Sequence, residues 1–68
     1  MNSLEIGEAI RTRRKQLRLT QEQVAELAGC SKPSVIAAEA GKPTLRLDKL
    51  IDILDVLGLA VRIETEAP

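Results

Sequence analysis

Sixty-eight residues with equal numbers of acidic and basic side chains, no histidine, no aromatic residue and a single cysteine describe one small domain at most. These counts exclude an internal disulfide, leave no plausible zinc set, and remove the aromatic platforms on which single-stranded nucleic acids stack. No apolar run reaches membrane-spanning length and no signal-peptide pattern opens the chain, so a cytoplasmic protein without membrane contact is expected.

The first helix is expected to start at Asn2 or Ser3, because Asn2 and Glu5 have capping-box spacing. Ile6, Ile10 and Leu17 then share one face, with Arg13 and Arg14 at its edge, and the helix fades near Leu17–Arg18. Residues 11–18 hold five of the ten basic residues and no acid, whereas Asp48, Asp52 and Asp55 fall together further on. Sorted charge of this kind is read either as two solvated helix faces or as a basic patch for phosphate.

Thr20-Gln21-Glu22-Gln23 is a second capping box, and Val24, Ala25, Leu27 and Ala28 supply the apolar side of a short helix that Gly29 stops. Cys30 alone separates that stop from Ser31, a good N-cap, and fits there as a small packed hydrophobe. The next helix runs from Lys32 to about Ala40, with Pro33 in its first turn and Gly41 at its end. Two short helices joined by so tight a turn make a helix-turn-helix.

After a loop at 42–44, a fourth helix is expected from about Arg46 to Leu57, ending at Gly58. Its apolar residues cover more than half its circumference. Leu47, Leu50, Ile51 and Leu54 suffice for the domain core, which leaves Ile53 and Val56 to cover something else. The tail after Gly58 alternates, with Val61 and Ile63 on one side and Arg62 and Glu64 on the other. A lone strand needs a partner from another chain or remains a frayed tail.

Residues 20–41, TQEQVAELAGCSKPSVIAAEAG, resemble the Cro/lambda-repressor (Xre-type) helix-turn-helix family at Thr20, Gln21, Val24, Ala25, Gly29, Cys30, Ser31, Val35, Glu39 and Gly41. The resemblance implies a mainly α, four-to-five-helix lambda-repressor-like domain over residues 1–58, with a dimerisation strand and tail over residues 59–68. It implies that helix 3 enters the major groove of double-stranded DNA while the start of helix 2 sits on the backbone. Ser31, Lys32, Pro33, Ser34 and Ala37 would then face base edges, and Arg11, Arg14, Thr20, Gln21, Lys42 and Arg46 would meet phosphates. Arg14 and Glu39 would also form an internal ion pair between helices 1 and 3. The groove face departs from a good base reader: Lys32 is its one long polar side chain, and Ile36 and Ala40 are apolar for exposed positions. Weak specificity, indirect readout and a protein partner each account for that.

The segment GKPTLRLDKLIDILDVLGLAVRIE resembles the end of HipB-type antitoxins. That likeness implies a homodimer built by the last helix and a following strand, with Ile53, Val56, Leu59, Val61 and Ile63 at the interface, on a palindromic operator. It further implies a repressor that is also the antitoxin of a cognate toxin protein. The alternative keeps the fold but makes it a protein-interaction module that neutralises a toxin with little DNA binding. No catalytic constellation, metal set or cofactor motif is present in the sequence, so no enzymatic activity and no cofactor is expected.

Overall fold

A computed structural model describes residues 1–67. Among them lie four helices: α1 (Ser3–Gln16), α2 (Gln21–Ala28), α3 (Lys32–Glu39) and α4 (Leu47–Val56). The starts are fixed by local chemistry. Asn2 Oδ1 accepts the Glu5 amide at 2.9 Å, although the Glu5 carboxylate meets the Asn2 side-chain amide rather than its backbone, so only half of the expected box forms. Both halves form at α2: the Gln23 amide donates to Thr20 Oγ1 at 3.0 Å, and the Thr20 amide donates to Gln23 Oε1 at 2.8 Å. Ser31 Oγ accepts the Ser34 amide at the start of α3, and Pro33 sits in the first turn, where no amide hydrogen is needed.

All four helices end in the same way. An amide beyond the last turn donates back five residues: Leu19 to Arg14, Cys30 to Ala25, Lys42 to Ala37 and Leu59 to Leu54, at 2.9–3.1 Å. The closure places one residue in the left-handed region. That residue is glycine in three of the loops and Arg18, at φ 57°, in the first.

The core takes side chains from every helix. Ile10, Val24, Val35, Ile53 and Leu57 are fully buried, with Ala25, Ala38 and Leu54 beside them. α1 crosses the end of α3 at backbone contact over Gly7. A methyl group at that position would lie 2.6 Å from the Glu39 carbonyl oxygen and 2.7 Å from that of Ala38.

Two expectations are corrected here. Ile53 is 0% exposed and belongs to the core, while Leu47 is 69% and Ile51 45% exposed. The sequence offers two stripes of identical helical spacing, 47-50-51-54 and 50-53-54-57, and α4 turns the second inward. The apolar surface left over is therefore at Leu47 and Ile51, not at Ile53; Val56 is half-buried against the core. The second correction concerns the tail. Residues 59–67 carry no strand, because an extended segment needs a ladder partner and no other segment of the chain offers one. Pro68, the end of the expected strand-and-tail segment, lies outside the described residues. No helix among those described is long and apolar enough to cross a membrane.

Candidate nucleic-acid interface

α3 is held by its inner residues and presents the others. Val35 and Ala38 are buried in the core. Ser31, Lys32, Pro33, Ile36 and Ala40 are exposed, with Ser34 and Ala37 half-buried beside them. The tight turn after α2 thus sets one face of α3 outward and places the start of α2 alongside it.

The register between these helices is set by Arg14 and Glu39. Arg14 Nε donates to Glu39 Oε2 at 2.6 Å and Arg14 Nη2 to Glu39 Oε1 at 3.0 Å, a two-point contact between α1 and α3. Arg14 Nη1 donates to the Leu19 carbonyl at 2.9 Å, just before α2. Gln21 Nε2, in the first turn of α2, donates to the same Glu39 Oε1 at 3.4 Å. The side chains of Arg14 and Glu39 are 13% and 7% exposed. Hydrogen bonding to Glu39 raises the Arg14 pKa above its ordinary value; burial opposes this, and the Glu39 charge adds to it.

The expected phosphate role of Arg14 stands beside these internal contacts. All three of its nitrogens donate to acceptors within the chain, while its side chain also lines the recesses on both sides of Gln21. Its effect on the outer surface is to hold Gln21 beside α3.

The other expected contacts fall into groups. Arg11 and Gln21 line a polar recess with Ile36, Glu39 and Ala40. Thr20, Gln21, Arg18 and Lys32 line a second recess on the other side of Gln21. Ser31 caps α3 and is exposed with Pro33, while Ser34 and Ala37 are half-buried along the helix. Lys42 and Arg46 line neither recess; both are exposed, and Arg46 donates to Asp48 at 2.9 Å. Lys32 Nζ lies 3.4 Å from Glu22 Oε1, with both side chains well exposed. Such a pair contributes ~0–1 kcal/mol and gives way readily to another anion. Ser31 and Ser34 hydroxyls bond to each other at 3.0 Å.

On another side of the molecule, Leu59, Val61 and Ile63 line an apolar groove with Leu47, Leu50, Ile51 and Leu54. Cys30 is half-buried in the turn, and burial pushes its thiol up, with Lys49 opposing and Asp52 adding, so it is not an activated nucleophile.

Three contributors escape a reading of the sequence. Arg13 Nε donates to the Leu57 carbonyl at 3.0 Å and closes the end of α4 from α1, a contact across 44 residues that no local pattern signals. Gly7 permits the α1–α3 crossing; a glycine in mid-helix is a visible clue, since it weakens a helix unless packing requires it. Arg18 occupies a left-handed position that its residue type does not favour.

The sequence profile described as helix-turn-helix matches residues 10–63, most of the chain. A relative, the uncharacterized HTH-type transcriptional regulator y4mF of Sinorhizobium fredii, is 36% identical over 59 residues, which cover 87% of this chain and 78% of that protein. With a half-buried arginine–glutamate pair fixing α3 against α1, and α3 standing outward beside the start of α2, the chain belongs to the helix-turn-helix family of Cro/C1 type.

Proposed function

We propose that this protein is a sequence-specific double-stranded DNA-binding transcriptional regulator that acts as a repressor. The observation that carries this reading is the outward face of α3, flanked by Arg11, Thr20, Gln21 and Lys32 and held by the Arg14–Glu39 pair. α3 enters the major groove, with Ser31, Lys32, Pro33, Ser34 and Ala37 toward base edges. Phosphates meet Arg11, Thr20 and Gln21 on one side and Lys42 and Arg46 on the other. A duplex titration at rising salt tests this. The logarithm of affinity falls linearly with the logarithm of salt concentration if phosphates are contacted. A protein-interaction module shows little duplex binding at any salt, and that result would overturn the reading.

The same reading includes a two-fold homodimer. The exposed Leu47 and Ile51, continuous with Val61 and Ile63, make an apolar surface that a second copy covers. In the dimer the two tails pair antiparallel and form the strand that a single chain cannot. Two α3 helices about 34 Å apart then meet successive major grooves of a palindromic operator. The HipB-type likeness of residues 41–64 supports an antitoxin role beside repression; co-purification of a protein from the adjacent reading frame tests it.

A further inference from the structure

We propose that Ile36 determines sequence specificity by packing on the 5-methyl group of thymine in the major groove. The proposal rests on the DNA-binding reading above and specifies its chemistry. Ile36 is 44% exposed in the middle of α3, while its neighbour Val35 is fully buried, so the helix cannot roll to hide it without unpacking the core. Pro33 and Ala40 stand one turn away along the same outward side, and neither can make a hydrogen bond through its side chain. Apart from Glu39, which is turned to Arg14, the polar groups of α3 are confined to its start: Ser31 and Ser34 bond to each other, and Lys32 lies against Glu22. From its third residue onward, the outward side of α3 therefore carries no side chain able to pair with a base edge in two-point fashion.

The surroundings decide what covers Ile36. It shares its recess with Arg11 and Gln21, and Thr20 and Lys32 lie across Gln21 from it. The two carboxylates among these groups are already engaged, Glu39 by Arg14 and Gln21 and Glu22 by Lys32. The apolar centre is thus bordered by the cations Arg11 and Lys32 and the polar Thr20 and Gln21, which suits a duplex, whose phosphates border a groove. In that groove the only apolar group any base pair presents is the thymine methyl. An isoleucine pressed against any other base edge would desolvate an acceptor or an amino group without replacing its hydrogen bonds. The helix thus selects A·T pairs in the middle of each half-site through shape and desolvation rather than through paired hydrogen bonds.

The test uses the full chain and a duplex enriched by it from a random-sequence pool. Each thymine of that duplex is replaced in turn by deoxyuridine, which keeps the hydrogen-bonding edge and removes only the methyl group. Binding weakens about fourfold at one or two thymines of each half-site, the effect of one methyl group leaving an apolar contact. Ile36→Ala binds the parent duplex more weakly and no longer distinguishes thymine from deoxyuridine at those positions. The proposal is overturned if the unaltered protein binds every substituted duplex as tightly as the parent, or if Ile36→Ala still senses the same methyl. The scan with unaltered protein decides the first point whether or not the variant folds. If no duplex is enriched even at low salt, DNA binding itself falls, which is a different result from duplex binding that ignores the methyl.

Discussion

Arg14 and Glu39 stand 25 residues apart in the sequence and make a two-point ion pair that joins α1 to α3, with Gln21 of α2 sharing one of the same carboxylate oxygens. Three helices meet at one carboxylate. Glu39→Ala leaves the half-buried Arg14 guanidinium with only the Leu19 carbonyl as acceptor and is expected to lower stability by about 1–3 kcal/mol, the range for hydrogen bonds to charged groups. A urea melt that matches the parent would show that the pair is structurally idle.

Gly7→Ala separates helix propensity from packing. Alanine favours an isolated helix by about 1 kcal/mol over glycine. Here its methyl would sit inside contact distance of two carbonyl oxygens of α3. The crossing must open, and a net loss of about 1–3 kcal/mol is expected despite the better propensity. A gain in melting temperature would show that α1 and α3 can part without cost.

Arg18→Gly is expected to act in the opposite direction. Relieving a left-handed non-glycine residue is worth about 1–2 kcal/mol, of which the extra freedom of glycine in the unfolded chain removes about half. A net gain of about 0.5–1 kcal/mol, or several degrees in melting temperature for a domain of this size, follows. Calorimetry of the two proteins side by side checks the sign.

The two faces of α4 separate in a pair of variants. Ile53→Ala empties a fully buried site and is expected to cost about 2–5 kcal/mol. Ile51→Ala, at a half-exposed site, is expected to leave the monomer fold intact and to lower self-association in sedimentation. If Ile51→Ala unfolds the chain while Ile53→Ala does not, the inward face of α4 has been misassigned.

Removing residues 59–68 is expected to reduce both dimer content and operator affinity while the far-ultraviolet helical signal persists, since the four helices end before Leu59. A truncated protein that binds its operator as tightly as the parent would detach the tail from DNA binding.

The part of the fold that is legible in the sequence is the part that local chemistry settles. The box at Thr20, the stop at Gly29 and the cap at Ser31 lie within a few residues of their partners, so α2, the turn and α3 can be read directly. The inward face of α4 cannot, because two overlapping apolar stripes fit the same period and only packing against α2 and α3 chooses between them. Arg14 illustrates the same limit at the site. Its residue type suits phosphate and carboxylate equally, and only the approach of α3 commits it to Glu39. Arg13 and the Leu57 carbonyl, 44 residues apart, meet through tertiary packing alone. Ile36 is visible in the sequence as an apolar residue out of place, but its recess exists only once Arg11 and Gln21 are brought beside it.

α3 is divided between two tasks that share no side chain. Val35, Ala38 and Glu39 hold it to the bundle, while Lys32, Pro33 and Ile36 face away from it. Exposed positions of this kind tolerate exchange at roughly ±0.5 kcal/mol of stability. The address the helix recognises is therefore rewritable without redesigning the scaffold that carries it. A duplicated copy of the chain would diverge toward a new target through a few substitutions on that side alone, each intermediate remaining folded.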